Sequence, residues 1–139
     1  DFPAQHIKAE LESSLSNALA GAALRPCYFE PTFHKHQGTL CHGLQIHTDQ
    51  PAFNADNFRP FLVIAYALKL LKLAQPAAEL WRHHEYEYEI DRLPIDIING
   101  GSQLRHWVDD DTLHLNDLIS LLDETRALWL PEIAPFYRY

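Results

Sequence analysis

Methionine is absent from all 139 residues, and cysteine occurs only twice, at Cys27 and Cys41. So few cysteines exclude a disulfide-stapled scaffold, although one bond between the two stays open. Positive charge is also scarce, with 11 Lys plus Arg against 19 Asp plus Glu and a formal charge of -8. An acidic chain with no local basic patch is repelled by phosphate backbones and anionic bilayers, so neither nucleic acid nor a membrane is expected as a partner. Long apolar runs are missing too. The longest, Phe61 to Leu68, falls well short of the roughly 20 residues that span a bilayer, and the N-terminus lacks the basic and apolar regions of a signal peptide, which predicts a soluble chain. There is no Gly-rich phosphate loop, nucleophile elbow, CxxC or HExxH, and no cofactor is expected. The opening Asp1-Phe2-Pro3, without an initiator Met, suits a domain cut from a longer protein.

What is present is enough apolar material for a core, 47% of residues, in a length that suits one domain. Ile7, Leu11, Leu15 and Leu19 recur every four residues and predict one helix from Pro3 to Ala20, with Asp1 able to cap it and Gly21 ending it. Leu24–Phe29 and Leu40–Thr48 read as partner strands joined by a loop whose turn residue is Gly38. Leu44 and Ile46 then face one side, Gln45 and His47 the other. Pro60 starts a largely apolar helix, with Lys69 and Lys72 marking its wet edge and Gln75-Pro76 ending it. His84–Asp91 alternates aromatic or apolar residues with acids and gives the clearest strand signal of the chain. A short helix after Pro94, a Gly100-Gly101 break, a helix over Gln103–Val108 and a last helix from about His114 toward Trp129 follow, with Pro131 bending or ending the last. The expected class is α+β: a small mixed or antiparallel sheet of three or more strands packed with about four helices.

Three constellations invite chemistry. His34, His36, His42 and His47 cluster around Cys41, but their spacing matches no zinc signature, so no metal site is assigned. Glu85, Glu87, Glu89 and Asp91 would line one strand face some 7 Å apart, a spacing reminiscent of glycosidase carboxylates and equally that of any solvated strand face. Asp109 to Asp111 read as capping residues for the helix that follows. No catalytic residue is assigned from these patterns.

One long motif goes further. Tyr28-Phe29-Glu30-Pro31-Thr32-Phe33-His34-Lys35-His36-Gln37-Gly38, followed by Cys41-His42-Gly43-Leu44-Gln45-Ile46-His47-Thr48-Asp49, closely resembles the signature of the C-terminal domain of NamZ-type exo-β-N-acetylmuramidases. Phe58-Arg59-Pro60, Tyr88, Pro94-Ile95-Asp96-Ile97-Ile98-Asn99-Gly100, Leu104-Arg105 and Phe136-Tyr137-Arg138-Tyr139 follow in the family's order, so the resemblance covers nearly the whole chain. It implies that residues 1-139 form the accessory domain of a two-domain bacterial peptidoglycan hydrolase of the cell envelope, secreted or periplasmic. In that family an N-terminal Rossmann-like domain carries the catalytic acid and releases N-acetylmuramic acid from non-reducing ends. The partners implied are that catalytic domain and peptidoglycan fragments. On this reading Lys35 meets the lactyl carboxylate of muramic acid, Gln45 and His47 meet sugar hydroxyls, and Arg59 and Arg105 are further carboxylate candidates. The rival reading from another class is a stand-alone carbohydrate- or protein-binding module, and a third is a small metal-binding protein using the histidines.

Overall fold

The computed structural model describes residues 2–138. Helix α1 spans Ala4–Ser14 and α2 spans Ser16–Leu19, and together they carry the stripe of Ile7, Leu11, Leu15 and Leu19, all buried. The expected single helix is interrupted at Leu15, whose φ of -125° leaves the helical region while its N–H still bonds Leu11 O. Ser13, Ser14, Ser16 and Asn17 surround the break. Short polar side chains of this kind compete with the helical ladder, and the Ser13 hydroxyl does so by donating to Glu10 O. Asp1, the suggested cap, lies outside the described residues, and Pro3 stands at the cap position.

Ala20 (φ 48°) and Gly21 (φ 84°) turn the chain through left-handed backbone into β1, Ala23–Phe29. A Cβ on Gly21 would stand 2.2 Å from Ala52 O, so glycine is required there by both φ and space. β1 pairs antiparallel with β2, Cys41–His47, in a register that sets Arg25 opposite Gln45 and Cys27 opposite Gly43. One face of this ribbon, Leu24 with Leu44 and Ile46, joins α1, α2 and α3 (Pro60–Ala74) in a first core around Ile7, Leu11 and Val63. The segment between β2 and α3 is pinned beneath α2 by Asn54 N–H to Ala20 O and Arg59 N–H to Ala18 O, each 2.9 Å.

A second core lies on the other side of α3. Ala65 packs there with Leu104, Trp107 and Val108 of α5 (Gln103–Asp109) and Leu118 of α6 (Leu115–Ile133). The short α4, Pro94–Ile98, is tied to α5 by an ion pair between Asp96 and Arg105. Asp117 caps α6 by accepting the His114 N–H at 2.7 Å. The run Asp109 to Asp111, expected to cap this helix, has other work: Asp110 closes a turn by accepting from Thr112, and Asp109 accepts from the Trp81 indole.

Three expectations need correction, and one open alternative is resolved. The sheet has two strands, and the third expected strand, His84–Asp91, is a tight turn. Tyr86 and Glu89 exchange both backbone bonds across Glu87 (φ 49°) and Tyr88 (φ 66°), and Tyr88 is 97% exposed. Alternation alone makes no strand where no neighbouring strand stands to accept the ladder. Lys69 does not mark a wet edge: it is 2% exposed, and its ammonium donates to the carbonyls of Trp107 (2.9 Å), Val108 (3.4 Å) and Asp110 at the end of α5. Burial lowers its pKa, against the opposing pull of Asp110, Asp111 and Asp109. On the same largely apolar helix, where burial on most sides was expected, Phe61 and Ile64 are exposed, because the buried stripe runs through Val63, Ala65 and Leu70. Lastly, of the two alternatives, bending or ending α6, Pro131 does not end it: the helix continues to Ile133 and into a 3₁₀ turn over Ala134–Phe136. Among the described residues, no helix is long and apolar enough to cross a membrane.

Candidate functional site

Because the inner face of the ribbon is committed to the first core, its outer face is free to meet something else. Directly opposed residues of an antiparallel pair share a face, so the outer face carries, row by row, Ala23 and His47, Arg25 and Gln45, Cys27 and Gly43, Phe29 and Cys41. In the second row the Arg25 guanidinium donates to Gln45 Oε1 at 2.6 Å, and both side chains are exposed. In the third, Gly43 leaves room for the Phe29 ring, whose Cε1 would stand 3.2 Å from a Cβ at that position. Phe29 is half exposed. Both cysteine thiols are free, and Cys41 Sγ donates to Thr39 O.

His47 is on the expected face but is less open than expected. Its side chain is 26% exposed, Nδ1 lies 3.7 Å from Asp49 Oδ1, and Nε2 is buried with no hydrogen-bond partner among the described residues. A buried ring nitrogen without a partner is costly unless something supplies one. Lys35 sits in the loop between the strands, between His34 (φ 59°) and His36 (φ 60°), and its ammonium has no ion pair among the described residues. Bonds from Gly38 N–H to Pro31 O and Thr39 N–H to His36 O close this loop. The loop and strand ends expose Tyr28, Phe33 and Leu40.

The arginines lie apart. Arg59 precedes α3 and donates to Asp56 O at 2.8 Å, with no carboxylate partner among the described residues. Arg105 is engaged in the fork with Asp96, Nε to Oδ1 at 2.9 Å and Nη2 to Oδ2 at 2.7 Å. That pairing holds the Asp96 carboxyl below its ordinary pKa and raises Arg105, both through the shared hydrogen bonds first. The structure therefore brings Gln45 and His47 together and ties Arg105 to another task.

Sequence reasoning missed Arg25 and Phe29 as members of this face. Alternation within β1 could have placed them on one face, but the register that sets Arg25 beside Gln45 depends on an 11-residue connection (30–40) that fixes no register by its length. The histidines do not converge. His42 points to the inner side and stacks on Tyr28 at 4.2 Å, while His47 points outward, and among the described residues no group of three His, Cys, Asp or Glu side chains could hold a metal. The acidic ladder is likewise dispersed. Glu89 turns back to Arg92 and to the Asp91 N–H, and that backbone bond is the main cause of its lowered pKa.

Comparison with known proteins matches residues 2–139 to the family model described as the C-terminal part of the exo-β-N-acetylmuramidase NamZ. A 48-residue stretch is 52% identical to the peptidoglycan β-N-acetylmuramidase NamZ of Bacillus subtilis (strain 168), covering 33% of this chain and 12% of that relative. The match thus spans a small part of the relative's length. No solved structure matches.

Proposed function

Because the chain belongs to the family of the C-terminal domain of the exo-β-N-acetylmuramidase NamZ, we propose that it acts as the accessory half of a peptidoglycan muramidase. Residues 1–139 form one domain on this reading, and the outer face of the β1–β2 ribbon makes one wall of the cleft that holds the muropeptide. The Rossmann-like catalytic domain of the same polypeptide makes the other wall. The setting is the bacterial cell envelope, secreted or periplasmic.

The observation that carries this reading is that Gln45 and His47 share the outer face of a ribbon whose opposite face is core. Gln45 offers an amide to sugar hydroxyls, and His47 holds a buried nitrogen with no partner among the described residues. Lys35 adds a positive charge on the loop between the strands, which adds to the attraction of an acidic ligand. Arg59 stands near the start of α3 as a second free cation. Arg105 acts through Asp96 as a strut and is the weakest of the five candidates.

The division of labour rests on the family's architecture, in which the N-terminal domain carries the catalytic acid. The chain binds and orients, and the proton comes from the other domain. The test is incubation of the 139-residue chain with a chromogenic β-N-acetylmuraminide, and no turnover is expected. Turnover that survives repurification and disappears in Glu87→Gln would overturn the assignment.

A further inference from the structure

We propose that Phe29, Gly43, Arg25 and Gln45 form a monosaccharide-sized platform on the outer ribbon face, in which Arg25 reads a carboxylate on the sugar. This rests on the reading of that face as a cleft wall and names the part of the ligand each residue takes. Three features converge. The Phe29 ring packs beside Gly43, its Cε1 3.2 Å from where a Cβ there would stand, and the residue is half exposed; an exposed aromatic face, negative at its centre, accepts the C–H side of a pyranose. Same-face rows of a strand are two residues apart, roughly 7 Å, so the Arg25–Gln45 row stands about one sugar ring away from the Phe29 platform. Arg25 has five N–H donors, one of which is spent on Gln45 at 2.6 Å, and it has no carboxylate partner among the described residues of a chain with net charge -8.

Of Arg25 and Lys35, Arg25 is the one held by a neighbouring side chain. Gln45 fixes its plane, and a planar fork grips a carboxylate in two parallel bonds that an ammonium cannot make. Lys35, on the loop, is a rim charge with no anchor. The ligand class is a carboxylate-bearing pyranose with an unhindered C–H face, and glycine at position 43 is part of the recognition because a side chain there would lift the ring.

The experiment titrates the ¹⁵N-labelled chain with the methyl β-glycosides of N-acetylmuramic acid and N-acetylglucosamine, which differ only in the lactyl ether. Shifts of Gly43, Phe29 and the Arg25 Nε–H are expected with both sugars, with the acidic one favoured about tenfold, as one charged hydrogen-bond pair provides. Arg25→Gln should erase the preference and leave the neutral sugar unaffected, Phe29→Ala should weaken both, and Lys35→Ala should change the preference by less than twofold. A preference that survives Arg25→Gln, or that vanishes in Lys35→Ala, overturns the role of Arg25 while leaving the cleft-wall reading in place. Absence of any outer-face shift with either sugar overturns the platform itself. The cleft-wall reading is then decided separately by the activity of two-domain variants.

Discussion

Lys69→Met removes one charge from the middle of the molecule at nearly constant side-chain length, and the structure says what is left behind. The ammonium is the partner of three carbonyls at the end of α5, those of Trp107, Val108 and Asp110, and lies 5.3 Å from the centre of the Trp107 ring. Methionine offers those oxygens nothing. A buried carbonyl without a partner costs about 1–3 kcal/mol, and Asp110 O is only partly buried, so the gross loss is about 4 kcal/mol. Relief of burying a charge and good packing by Met return about 1 kcal/mol, leaving about 3 kcal/mol of destabilisation. At a urea slope of about 2 kcal/mol/M the unfolding midpoint should fall by about 1.5 M. The pH dependence has a definite sign. The folded pKa of Lys69 is lowered, so the unfolded chain holds this proton more tightly, and stability rises with pH from the lowered pKa up to 10.5. Lys69→Met should lack that rise. A midpoint within about 0.2 M of the parent, near the scatter of a neutral surface substitution, would refute the assignment of Lys69 as the strut between α3 and α5.

Other expectations follow from single contacts. Gly21→Ala should cost about 3 kcal/mol or more by thermal or urea unfolding, since it adds a left-handed alanine and a clash with Ala52 O. Asp96→Asn should cost about 2–4 kcal/mol at pH 7, as for a partly buried bidentate pair, and should flatten the acid limb of the stability curve. The sign there is the usual one: Asp96 has a lowered folded pKa, so its contribution is complete above about 3.8 and is lost as pH falls through the folded value. Replacing Glu87-Tyr88 by Asn-Gly should stabilise by about 1 kcal/mol, because both positions have positive φ, and an unchanged melting temperature would contradict the turn geometry.

The core-facing stripes were legible in the sequence because their periodicity states burial directly: Ile7, Leu11, Leu15 and Leu19 are all buried, across a break in the helix that periodicity cannot see. The ribbon was legible for the same reason, since Leu44 and Ile46 alternate with Gln45 and His47. Lys69 was not. A lysine on an apolar helix is read as its wet edge, and only the position of the α5 carbonyls shows that it is buried. The stretch His84–Asp91 misled because alternation reports a side-chain pattern and not the presence of a neighbouring strand. For the site, the family resemblance implied Gln45 and His47, and strand alternation placed them on one face. The pairing of Arg25 with Gln45 could be seen only once the register was known, and the fork that engages Arg105 only once Asp96 was seen beside it.

Activity of the two-domain protein carrying Gln45→Ala tests the cleft wall most directly, since Gln45 is exposed and its side chain accepts from Arg25. If the outer ribbon face holds the sugar, kcat/KM for a β-N-acetylmuraminide falls about tenfold while the unfolding midpoint stays within the spread of neutral surface substitutions. A kcat/KM within twofold of the parent protein would contradict that role.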